Sequence, residues 1–91
     1  MSKRICAYAE ALSWPPDKED LRRLEELHRE LGKILEDHGV GSASGEPSPD
    51  GSPGQYPALC FEAKPGTRAA ELVRSHLHEK EAEYRWNVVS G

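Results

Sequence analysis

The side chains able to do chemistry are few and scattered. The chain has two cysteines and four histidines in 91 residues. Cys6 and Cys60 each lie in a short strand-like run, KRICAYA (Lys3–Ala9) and YPALCFEA (Tyr56–Ala63). If the runs are neighbouring central strands, both thiols share one sheet face and can approach each other. A metal pair, a redox pair and a nucleophile all need more: a C-x-x-C, a third sulfur or a cationic helix end, none of which is present. The expectation is two small buried hydrophobes in a reducing cell. His76 and His78 are two apart, which on a helix turns them away from each other. HEKEAE at His78 is not H-E-x-x-H, because residue 82 is alanine. His28 lies beside an apolar helical stripe, and His38 stands at a helix C-terminus, where a protonated imidazole meets favourable dipole charge. No metal site and no cofactor are expected.

These residues must be positioned by a small number of elements. The clearest is the helix in DLRRLEELHRELGKILED, Asp20–Asp37, where Leu21, Leu24, Leu27, Leu31, Ile34 and Leu35 form one apolar stripe on an otherwise charged cylinder. Asp17 is placed to cap it by accepting from a free N–H near Asp20. Gly39 stops it in the left-handed cap position. Gly32, unfavourable inside a helix by roughly 1 kcal/mol, marks close approach of a neighbour. Trp14, ahead of Pro15 and Pro16, is expected as a lid over one helix end.

Val40–Glu46 reads as a weak edge strand, and PSPDGSPGQ (47–55) as a flexible loop within 45–56. In Tyr56–Ala63, Leu59, Phe61 and Ala63 share a face. Thr67 is the expected cap of a second helix carrying Ala69, Ala70, Val73, His76 and Leu77. Tyr84–Val89 alternates as a last strand. The order β-α-β-β-α-β, with 1–91 as a single α+β domain, gives a ferredoxin-like split βαβ fold. The expected sheet is four-stranded and antiparallel in the order 4-1-3-2, with both helices on one face. Ile5, Ala7, Leu59, Phe61, Trp86 and Val88 form the expected sheet side of the core.

With Leu21–Leu35, the His38-Gly39-Val40-Gly41 stop and the run from Leu59 to Val89, the chain resembles small bacterial ferredoxin-like α/β proteins. The resemblance covers most of the chain at the level of fold. Such proteins include ligand sensors, isomerases, RNA-binding domains and partner-binding proteins, and a shared fold does not choose among them.

Composition narrows the classes. Acids and bases are interleaved around a net charge of −4, with 31% charged and 36% apolar residues and no basic tract. Nucleic acid and anionic membrane are therefore disfavoured as partners. No apolar run reaches transmembrane length. MSKRICAYAEALSWPP lacks a signal-type apolar core, so the cytoplasm is the expected compartment.

The face left open by the helices should carry Arg4, Cys6 and Tyr8, then Ala58, Cys60 and Glu62, then Arg85, Asn87 and Val89. This is the mixed composition of a wet interface. The leading expectation is a non-catalytic protein that binds a second copy of itself or another protein through this face or the free edge of the weak strand. The alternative is a small-molecule binder or small enzyme in which Tyr8, Glu62 and Arg85 supply an acid, a base and an anion clamp. A deep pocket holding Glu62 with Arg85 would favour that alternative. A third class, single-stranded RNA binding, needs aromatics on the open sheet, where only Tyr8 qualifies and the RNP pattern is missing.

Overall fold

Asp17 caps the first helix as its spacing requires: its Oδ1 accepts from the Asp20 N–H at 2.8 Å. The helix, α1, runs Lys18–Asp37. In the computed structural model, which describes residues 2–90, it lies across a four-stranded antiparallel sheet. The strands are β1 (Lys3–Ala9), β2 (Gly41–Pro49), β3 (Pro57–Ala63) and β4 (Trp86–Ser90). A second helix, α2 (Ala69–Lys80), precedes a 3-10 turn over Ala82–Tyr84. The strand order is β2-β3-β1-β4, the expected order read from the opposite edge. The fold is α+β and ferredoxin-like.

The core fills the helix side of the sheet. Leu24, Leu27, Leu31 and Leu35 of α1 and Val73 and Leu77 of α2 are wholly buried against Ile5, Ala7, Leu59, Phe61 and Trp86. Leu21 and Ile34 flank the stripe half-buried, and Val88 is half-buried against the core. Burial of a Leu or Phe side chain contributes about 1.5–3 kcal/mol, so this layer dominates the stability. The packing also accounts for Gly32. A Cβ at that position would stand 2.8 Å from the Ala43 Cβ, so α1 rests directly on the edge strand. The stop is as expected. Gly39 takes φ 67°, and the His38 Nδ1–H donates to the Ile34 carbonyl at 2.9 Å.

Four local expectations need correction. The weak strand continues past Glu46 to Pro49, which shortens the expected 45–56 loop to the residues between β2 and β3. Pro47 and Pro49 are tolerated because β2 is an edge strand, where a missing donor leaves no gap in the sheet. Thr67 does not cap α2. Its hydroxyl donates to the Lys64 carbonyl at 2.7 Å, closing the preceding turn, and Arg68 occupies the cap position without a side-chain capping bond, its guanidinium instead donating to the Glu71 carboxylate. The last strand starts at Trp86, not Tyr84. The 3-10 turn takes up Tyr84, Arg85 adopts a left-handed backbone with φ 56°, and the Trp86 indole N–H donates to Glu81 O at 2.9 Å. The cysteines are not free: Cys6 and Cys60 are joined as a disulfide. The register sets them directly opposite, with Cα atoms 4.1 Å apart. That is even closer than the roughly 4.5 Å usual for the closer of the two classes of antiparallel pair.

Candidate functional site

The open face is built in rows by the strand register. One row pairs Ser42, Glu62 and Arg4 across β2, β3 and β1. The next holds Ser44, the Cys60–Cys6 bridge and Val89 of β4, and the third Ser48, Ala58, Tyr8 and Asn87. Beyond it, Glu10 prolongs the line of β1, since its carboxylate accepts from the Asn87 Nδ2–H at 3.4 Å. The middle is apolar: Ala58 and Cys60 are buried, and Val89, at 44% exposed, is the exposed large hydrophobic residue among those described. Both ends of β1 are charged, Arg4 at the start and Glu10 just past the end.

The structure gathers most of the expected partner-binding residues on this face but does not assemble the expected triad. Arg4, Cys6, Tyr8, Ala58 and Cys60 line one shallow depression of about 390 Å³. Glu62 lies four residues from the Ala58 row that holds Tyr8, about 13 Å along the strand. Its carboxylate accepts from the Ser2 hydroxyl at 2.8 Å. Arg85 precedes β4 at the other end, where its carbonyl accepts from the Glu10 N–H. None of the five best-formed cavities among the described residues contains both Glu62 and Arg85. Glu62 and Arg85 thus stand toward opposite ends of the sheet face, with Tyr8 on the Arg85 side.

The segment joining β2 to β3 is tied down. Asp50 Oδ1 accepts from the Ser52 N–H at 2.9 Å, the Ser52 hydroxyl at 2.7 Å and the Tyr56 N–H at 3.2 Å. The Ser52 amide foremost holds the Asp50 carboxyl below its usual range. The Trp14 N–H donates to Gln55 O at 2.9 Å, linking this loop to the connection before α1.

One functional-looking side chain stands where the sequence did not place it. His28 is 6% exposed, within the leucine stripe, and its ring meets Phe61 edge-on with centroids 5.1 Å apart. The β2–β3 ladder slips between Ser44 and Ser48, beside Cys60. There His28 Nε2 reaches the Cys60 carbonyl at 2.9 Å. A carbonyl only accepts, so the Nε2 carries the proton and in the neutral ring Nδ1 is left as an acceptor. The spacing carries the signal: position 28 is four after Leu24 and three before Leu31, inside the buried stripe rather than beside it. His28 lines a cleft of about 440 Å³ with Trp14, Leu21, Glu25, Arg29 and Glu46.

No helix among the described residues is long and apolar enough to cross a membrane, and no cluster of three or more potential metal ligands occurs among them. No protein-family model, curated protein or solved structure matches the chain.

Proposed function

We propose that the protein is a non-catalytic interaction module whose open sheet face pairs with a second copy of itself. The observation that carries this reading is the polarity of β1. Arg4 and Glu10 mark its two ends, with the Cys6–Cys60 bridge and Tyr8 between them. A two-fold axis lying in the face and crossing β1 near its centre reverses the strand. Arg4 of each copy then falls over Glu10 of the other, and the apolar middle rows meet. Such a self-complementary patch is what an isologous dimer requires.

The edges favour the face over strand addition on the β2 side. Pro47, Pro49 and the register slip interrupt the outer edge of β2, the features that blunt an edge against pairing. Four strands about 4.8 Å apart, of 7, 9, 7 and 5 residues, present a footprint of roughly 400 Å² per copy. The two copies together bury about 800 Å², below the roughly 1,000 Å² of a stable specific interface, so the dimer is weak and reversible.

The proposed setting is the cytoplasm, where accessible disulfides are subject to reduction. Because the Cys6–Cys60 bridge lies within the proposed interface, association is measured with and without dithiothreitol. Sedimentation velocity from about 10 µM to about 1 mM should show a monomer–dimer equilibrium in at least one redox state. Arg4→Glu and Glu10→Arg should each weaken it by about fivefold, and the double charge exchange should restore it. A strict monomer at every concentration in both redox states overturns the reading. So does a dimer indifferent to both substitutions.

A further inference from the structure

We propose that the cleft between Trp14, α1 and β2 is a binding site for a small organic cation, a primary ammonium carried on a flat apolar body. It is separate from the open face, on the helix side of the sheet, and stands or falls independently of self-association.

Its floor is His28. The ring is more than nine-tenths buried, yet only Nε2 has a protein partner, the Cys60 carbonyl. No buried side-chain nitrogen or oxygen among the described residues lacks a partner. The unpartnered Nδ1 is therefore the edge of the ring that solvent reaches, and the cleft is the space His28 lines. With the proton held on Nε2, the neutral ring offers this space a fixed lone pair and asks for an N–H or O–H donor.

The walls specify the rest of the ligand. Trp14 and Leu21 supply apolar surface, and the indole face favours a cation. Glu25 and Glu46 bring two acidic residues to the lining against the single basic residue Arg29. Acceptors outnumber donors, so an ammonium suits the lining and a carboxylate does not. The volume, about 440 Å³, lies within the range of small-molecule sites. The Trp14 backbone is tied to the β2–β3 loop by its bond to Gln55 O, which anchors the chain on this side of the cleft.

Benzylamine and benzoate make a matched pair of probes, with the same ring and opposite charge. Uniformly nitrogen-15-labelled protein, titrated with each to about 10 mM at constant ionic strength, should respond saturably to benzylamine with Kd about 1 mM. The moving signals should be the Trp14 indole and the residue 28 and 46 amides, with the Trp86 indole unchanged. Glu46→Gln and Glu25→Gln, at exposed positions, should retain the folded spectrum and weaken benzylamine by about threefold each. His28→Gln should abolish saturation while keeping the dispersed spectrum. If it unfolds, the two glutamate variants decide alone. The proposal is overturned if benzylamine gives no saturable shift, if benzoate binds as well, or if neither glutamate variant changes the affinity.

Discussion

At the scale of single residues, two ionisable groups carry consequences for stability. Asp50 is held below its usual carboxylate range by the Ser52 and Tyr56 donors. A carboxyl with a depressed folded value stabilises above its unfolded value and loses that contribution as pH falls through the folded one. As pH falls below about 4 the Ser52 and Tyr56 amides should therefore lose protection from hydrogen exchange together. Asp50→Ala should remove that protection already at pH 6 while leaving the global melt nearly unchanged. Loss of protection above pH 5 in the parent would contradict the assignment. Tyr84 behaves in the opposite sense. Burial, together with its 2.8 Å bond to Asp20 Oδ1, pushes its phenol well above the usual value. Its contribution is fully present below the unfolded value near pH 10 and declines as pH rises further. Tyr84→Phe should cost about 1 kcal/mol at pH 7 and flatten the fall in stability between about pH 10 and 11, both readable from urea denaturation. An unchanged alkaline slope would show that Tyr84 is not responsible for it.

At the scale of elements, the contact between α1 and β2 is the most informative. Gly32→Ala should gain up to about 1 kcal/mol of helix propensity. The added methyl would also stand 2.8 Å from the Ala43 Cβ, and overpacking costs about 1–3 kcal/mol. The net expectation is a loss of about 1 kcal/mol, and Ala43→Gly in the same chain should recover part of it. A Gly32→Ala variant that melts above the parent would mean the edge strand simply moves away. This close approach is legible in the sequence, because a glycine inside a strong apolar stripe weakens the helix and is kept where a side chain would not fit. The strand it meets is only half legible. Val40–Glu46 alternates small residues that bury little, so no hydrophobic signal marks its continuation through Ser48 and Pro49. That continuation depends on edge position, which is a property of the sheet and not of the segment. Cys6 and Cys60 show a similar division. The alternation of their strands sets them on one face. Only the register, one residue opposite the other, brings them within bonding distance. Period 2 assigns Arg85 and Glu62 to a common face and can go no further. Their separation along the strands, and the left-handed turn at Arg85, depend on where β4 begins. The burial of His28 is hidden by its polarity, which argues for the stripe's margin, although its spacing argues for the interior.

At the scale of the whole molecule, the sheet has one buried face and one open face, so nearly all the stabilising apolar surface belongs to a single layer. The Cα radius of gyration, 12.1 Å, matches the roughly 12 Å expected for a compact chain of this length. Arg23 reaches from α1 to Glu81 just after α2 at 2.9 Å, and Tyr84 bonds back to Asp20, so the two helical segments are also tied along their polar edges. A chain of this size has about 5–14 kcal/mol of stability, and one layer must hold it. Leu31 lies at the centre of that layer with no exposure. Leu31→Ala should cost about 3 kcal/mol, and Leu31→Asp, which buries an unpaired charge, should leave no folded state. The Ala variant tests whether the layer is one unit. In a Trp14→Phe background, Trp86 reports from β4 at the far edge of the sheet while far-UV circular dichroism reports mainly the helices. If both ends share one core, urea transitions seen by the two probes coincide in parent and variant and move together. Should the helical signal shift while Trp86 holds its midpoint, α1 would be a separable layer. The stripe and the sheet could then no longer be treated as a single cooperative body.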